Sequence, residues 1–275
     1  LYKTKARGAT LIEVLIACAV FSLLVLCLFA IVRYATNSWR NVEDRVSVQS
    51  EIRKIQTSLT EDLRKTSYAS VITYSGDYRH AVAFKTFINP ASGKFETGPN
   101  GELICQGYTL FFLIRPEGDP CTHNAMSVTD NKCPHKTLVR VDLTRISDGA
   151  ATWAPISFPV YTKDSEAAAA SNALRAYIPS DLNKKYFKST TITVDEYKNS
   201  IAGDPKYVEN VYIIGRNLLS FNVEKKLPPN NPEVLVDIKC YKMLSSSIAY
   251  NPGTQDLDTN QFTIQVDNRV IPMNP

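Results

Sequence analysis

The chain has 275 residues, 44% of them hydrophobic and 21% charged, with a formal net charge of +4 at pH 7. Three of those positive charges are Lys3, Lys5 and Arg7 at the very start, so the rest of the chain is close to neutral and carries no electrostatic footprint for a nucleic acid. About 200 residues beyond the N-terminal segment are enough to enclose one hydrophobic core, so one domain is the simplest count.

The three basic residues precede an apolar run, with no acid among residues 1–8. Basic flanks stay in the cytoplasm, so the bulk of the chain is expected to be exported. With Leu1 and no methionine at the start, further leader residues are expected ahead of it. Residues 14–32 carry no charge, and the 24 residues 9–32 can cross a bilayer as a helix of roughly 30–36 Å. One carboxylate, Glu13, lies inside this run, five positions after Gly8. An acid there is penalised by about 2–3 kcal/mol and needs a partner. A cleaved secretory signal has a shorter apolar core than this. Leu15-Ile16-Ala17-Cys18 has the form of a lipobox, but a lipoprotein turns polar after its cysteine and here the apolar run continues to Val32.

Beyond Arg33, apolar residues recur at Trp39, Val42, Val46, Ile52, Ile55, Leu59 and Leu63, mostly three or four apart, and charged residues fill the positions between. No Pro or Gly interrupts residues 9–75, so one helix of about 55–60 residues is expected, in lipid first and on a domain later. From residue 68 the period changes. Segments 71–74, 81–87, 103–114, 138–146, 211–214, 219–225, 234–241 and 262–266 are rich in Val, Ile, Phe and Tyr and read as strands. Pro and Gly clusters punctuate them. Residues 166–177 read as a short helix, and 147–210 as a polar insertion of small helices and loops.

Gly8-Ala9-Thr10-Leu11-Ile12-Glu13 resembles the processing site of the type IV filament superfamily of pilins, minor pilins and secretion pseudopilins. The run ending Glu61-Asp62-Leu63-Arg64, the pair of segments around Ile214–Val223 and Pro232–Ile238, and the closing Phe262–Val266 are similar to J-type pseudopilins and PilW-like minor pilins. Ser22 and Ala30 stand where many members carry Gly and Pro midway in the span, which fits a minor subunit. The resemblance implies an α+β, pilin-like fold: a long N-terminal helix packed on an antiparallel domain with two small sheets. It divides the chain into a leader at 1–8, a membrane and filament-core helix at 9–32, an amphipathic continuation at 33–67 and an exported domain at 68–275. It implies cleavage by prepilin peptidase after Gly8, which leaves a net charge of +1, and methylation of Ala9. Glu13 would set filament register by binding the ammonium of Ala9, its own or a neighbour's. The implied partners are I- and K-like minor subunits, a major pilin and an inner-membrane assembly platform. The implied role is non-enzymatic, with no cofactor. A membrane-anchored adhesin, cargo-binding protein or enzyme with an uncleaved anchor is the alternative.

Of the six cysteines, Cys18 and Cys27 fall in the apolar run and read as small membrane residues. Cys105, Cys121, Cys133 and Cys240 fall in the exported part, where the compartment is oxidising. Four cysteines allow three connectivities. Cys121 and Cys133 bracket a polar loop and are the favoured bridge, and Cys105 could join Cys240 if their strands are neighbours. Cys121, His123, Cys133 and His135 are zinc-type ligands at a spacing too tight for a usual structural site. Asp256, Asp258 and Asn260 alternate like a calcium loop but lack its sixth-position Gly and twelfth-position Glu, so a polar turn is expected and no metal is assigned. No Gly-x-Ser-x-Gly, His-Glu-x-x-His or phosphate-binding glycine loop is present.

Overall fold

The computed structural model describes residues 10–74, 81–88, 92–101, 103–114, 116–117, 136–144, 146–147, 153–154, 158, 164–179, 187–188, 192–226, 233–243 and 261–270. Helix α1, Leu11–Arg64, runs unbroken for 54 residues, about 80 Å at 1.5 Å per residue. Thr10 opens it as an N-cap, and the helix ends at Lys65, whose N–H reaches back to the carbonyls of Asp62 and Leu63. Thr66, fully buried, then anchors the exit: its hydroxyl donates to the Lys85 carbonyl at 2.8 Å.

The sheet is antiparallel, in the order β1 (Ile72–Thr73), β2 (Ala81–Thr86), β3 (Gly107–Ile114), β5 (Lys136–Thr144), β9 (Val208–Lys226), β10 (Glu233–Met243), β11 (Gln261–Val270). Two-stranded pairs stand beside it: β4 (Pro116–Glu117) with β8 (Phe187–Lys188), and β6 (Ile146–Ser147) with β7 (Trp153–Ala154). The 19-residue strand β9 joins two parts. Its first half pairs with β5 from Val208 to Leu218, and its second half pairs with β10 from Leu218 to Lys226. The α+β, pilin-like layout is thus present, a long helix followed by antiparallel sheet in two parts that share β9. The segments 211–214 and 219–225 are not separate strands. Nothing between them turns the chain, and Gly215 in the middle lets the strand pass close against Ile55 of α1.

Helix α1 covers one face of the sheet with Val48, Ile52, Ile55, Leu59 and Leu63, four or three residues apart. Trp39, Val42 and Val46 do not join them: all three are exposed, a correction to the single stripe that spacing suggested. The other face of the sheet is covered by the insertion. Every residue of β3 is buried, and its two faces alternate. Phe111 stacks on Phe84 and lies under the Arg140 guanidinium on the α1 side. Tyr108 meets Phe158 edge-on at 4.6 Å, and Phe112 lies 6.0 Å from Tyr197, on the insertion side. Phe158 in turn packs edge-on against Tyr177. Tyr177 lies just beyond helix α2 (Asp164–Arg175) and Tyr197 on helix α3 (Val194–Lys198), and the Tyr197 hydroxyl donates to the Tyr177 carbonyl. The polar insertion therefore has an apolar root, with Ala170 and Leu174 of α2 fully buried.

At the end of β9, Lys225 is buried and its ammonium donates to the carbonyls of Val71 at 2.9 Å and Ala69 at 3.3 Å, with the Tyr68 ring 4.8 Å away. Burial depresses its pKa from 10.5 to about 8. The unfolded chain therefore holds this proton to higher pH than the folded one, and Lys225 adds stability as pH rises from 8 to 10.5 and loses it as pH falls back. Burial of Cys240 and Tyr108 raises both groups to about 12 and acts in the opposite sense above pH 9 and 10. The difference between wild type and Lys225→Met isolates the lysine. In denaturant melts of the full chain in detergent, that difference is expected to shift in favour of wild type across pH 8–10.5. A constant difference would refute the assignment.

The conditional bridge between Cys105 and Cys240 is not formed. Neither cysteine is in a disulfide, and their segments are not neighbours, because β5 and β9 lie between β3 and β10. Cys105 instead donates its S–H to the Gly107 carbonyl at 3.3 Å. Cys121, His123, Cys133, His135, Asp256, Asp258 and Asn260 lie outside the described residues.

Candidate functional site

The first half of α1 has no cover. Across residues 10–47 no residue is buried, and Val48 is the first. Leu11 is 80% exposed and Phe21 68%. A helix that is apolar all round and unpacked needs a non-aqueous solvent or other helices. It is long and apolar enough to cross a membrane. Two of its hydroxyls are satisfied within the helix: Ser22 donates to the Cys18 carbonyl and Thr36 to the Val32 carbonyl, each at 2.8 Å. Such back-bonding four residues up the helix lowers the cost of a hydroxyl in lipid.

Glu13 stands at the head of this helix in a capping box. The Thr10 N–H donates to Glu13 Oε2 at 2.9 Å, and the Glu13 N–H donates to Thr10 Oγ1 at 3.4 Å. The carboxylate is thereby held at the positive end of the helix dipole, beside a shallow apolar groove formed with Ala17, Val20, Phe21 and Leu24. It can accept further N–H donors, and an ammonium is the one that would also neutralise it in lipid. Gly8 and Ala9 lie outside the described residues.

Residues 3–27 match the model of the prokaryotic N-terminal methylation motif. The chain carries a type IV pilin-like N-terminus. The matched stretch is the exposed, apolar part of α1 with its basic flank, and such motifs mark pilin-like processing and assembly with other pilin subunits. No curated protein and no solved structure matches the chain.

The pilin-like helix is seated on the sheet through polar groups that spacing alone did not pair. Arg140 of β5 bonds Asp62 of α1 at 2.8 Å and Asp142 of its own strand at 3.0 Å. Burial outweighs the arginine at Asp62 and raises its pKa. These three residues line a cavity of about 240 Å³ at the end of α1, with Lys65, Lys85 and Glu209 also on its wall. The opposite charges there balance, so the cluster reads as a joint between helix and sheet. Higher up, Glu51 of α1 accepts the Arg216 N–H at 3.0 Å. Asp62 belongs to the Glu61–Arg64 run and Arg216 to the 214–223 segment, so both stretches singled out in the sequence meet at the helix–sheet contact.

Proposed function

We propose that this chain is a minor pilin or pseudopilin, a non-enzymatic subunit of a type IV pilus or a type II secretion pseudopilus, placed in the tip or initiation complex. The observation that carries the reading is the methylation motif at residues 3–27 running straight into an uncovered apolar helix fused to a folded domain. In this reading prepilin peptidase cuts after Gly8 and Ala9 becomes the methylated N-terminus. Glu13 then binds the ammonium of Ala9 and selects subunits in the correct axial position. Segment 1–8 is the cytoplasmic leader, 9–32 the membrane and filament-core helix, 33–67 the continuation that carries the domain, and 68–275 the exported domain with its insertion at 147–210.

The J-type and PilW-like branch is supported by the Glu61–Arg64 run at the end of α1 and by the antiparallel β9–β10 pair. That branch brings I- and K-like companions and a major pilin as partners. Intact mass of the protein taken from its native membrane tests the reading. A chain starting at Ala9 with one added methyl is expected. An intact leader, or an acyl group on Cys18, would overturn it.

A further inference from the structure

The sheet runs on past the end of α1. Leu63 is the last residue that the helix buries, and the helix stops at Arg64. The strands continue beyond it. Thr109 of β3 stands opposite Phe84 of β2 on one side and Asp142 of β5 on the other, and Asp142 stands opposite Asn210 of β9. The next row is Thr86, Gly107 and Thr144. Residues two apart along a strand share a face, so both rows lie on the face that turns Phe111 and Arg140 towards α1. A covered inner face is ordinarily apolar. Here it changes to hydroxyl, carboxylate and amide where the helix ends.

These rows border the cavity of about 240 Å³ at the end of α1. At roughly 30 Å³ per water it has room for about eight. That is below the roughly 300–1,000 Å³ of sites for drug-sized ligands, and it suits a single six-membered ring with its substituents. Thr109 is buried, Asp62, Arg140 and Asp142 are half-buried in the wall, and Lys65 and Glu209 are exposed at the rim. Lys65, Lys85 and Arg140 offset Asp62, Asp142 and Glu209, so the cavity offers no net attraction to an ion. One acceptor is left over. Asp62 Oδ2 is buried and lies 2.8 Å from an Arg140 nitrogen, yet among the described residues it accepts no aligned hydrogen bond. An O–H entering the cavity is a donor that can satisfy it. Phe87 and Ile88, both half-buried, add an apolar wall.

We propose that this cavity binds one neutral sugar ring. Carboxylate, amide and guanidinium groups exchange hydrogen bonds with hydroxyls, which both donate and accept, and an aromatic face covers the C–H side of the ring. Asp142 and Asn210, cross-strand neighbours about 5 Å apart, take adjacent hydroxyls. Asp62 accepts from a third, and Phe87 covers the apolar face. The site draws only on the sheet and the end of α1, so it does not depend on leader cleavage or on filament assembly.

The test is saturation-transfer NMR on the full-length protein in a detergent without a sugar head group, because a glucoside or maltoside would compete. The probes are glucose, galactose, mannose and N-acetylglucosamine, each as the free sugar and as its methyl glycosides. At least one is expected to bind. Asn210→Ala and Phe87→Ala are each expected to weaken that binding about five- to tenfold, the loss of one hydrogen bond or one ring contact. Both side chains are half-buried, so the melting point is expected to stay near that of wild type. Should either alanine variant melt early, Asn210→Leu and Phe87→Leu, which keep the bulk, repeat the measurement. Binding of a methyl glycoside assigns the site to the end of a glycan chain, and binding of a free sugar alone assigns it to a soluble sugar. If no sugar in the panel binds, or if neither substitution weakens the binding, the proposal is overturned and the cavity is a water-filled joint. An intact leader would sink the subunit reading and leave this site standing.

Discussion

Glu13→Val is expected to leave membrane insertion intact and to abolish incorporation into filaments. The substitution acts in opposite directions on the two steps. In the single subunit it removes an acid from an apolar helix and so relieves an insertion penalty of about 2–3 kcal/mol. Only the capping contact with Thr10 is lost there, worth about 1 kcal/mol at an exposed helix end. In the assembled state, where Glu13 is proposed to bind the ammonium of Ala9, the same change leaves that ammonium in low dielectric without its counter-charge, which costs about 3–5 kcal/mol. That is a loss of incorporation of roughly two orders of magnitude or more, with the membrane pool undiminished. The measurement is the ratio of variant to wild type in sheared filaments against the ratio in the membrane fraction. Equal incorporation would remove Glu13 from any role in register. A parallel loss from both fractions would mean that the residue serves insertion or folding.

The helix that bears Glu13 could be read from the sequence almost to its ends, because an uninterrupted stretch without Pro or Gly and a clear 3.6 period leave no competing structure. The strands from Ala81 to Thr86 and from Glu233 to Met243 were legible for the same kind of reason: β-branched and aromatic runs bounded by turn residues. What the period could not supply was direction. Trp39 and Ile52 both fit a three-or-four spacing, yet one is exposed and the other buried, since which side of α1 meets the sheet is decided by β9 far along the chain. The insertion was illegible in a different way. Phe158, Tyr177 and Tyr197 lie some twenty residues apart with no common period, and only the fold gathers them on Tyr108 and Phe112. The pairing of Asp62 with Arg140 was equally hidden, since a charge on a helix and a charge on a strand have no periodic relation.

Gly107→Ala is expected to be the most damaging single-methyl change in the domain. Gly107 opens β3 and stands opposite Thr144 in β5 and Thr86 in β2. A Cβ there would fall closer than 3.0 Å to the Leu143 carbonyl oxygen, a backbone atom held inside the ladder. Relief requires β5 to move, and β5 also carries Arg140 against α1. Overpacking against backbone that cannot yield costs about 3 kcal/mol or more. Gly215→Ala is the matched comparison. Its Cβ also meets an obstacle, but that obstacle is the end of the Ile55 side chain, which has other rotamers to adopt. Denaturant melts of both full-length variants in detergent decide the matter, and a Gly215→Ala cost equal to or above that of Gly107→Ala would refute the backbone argument. The N-terminal segment should not register either change. None of residues 10–47 is buried against the domain, so insertion, and the cleavage after Gly8 proposed for this chain, depend on a part of α1 that the sheet does not hold. A Gly107→Ala chain that starts at Ala9 but is cleared from the membrane would show processing and domain folding to be separable steps. An uncleaved Gly107→Ala chain would mean that the folded domain is needed before the leader can be removed.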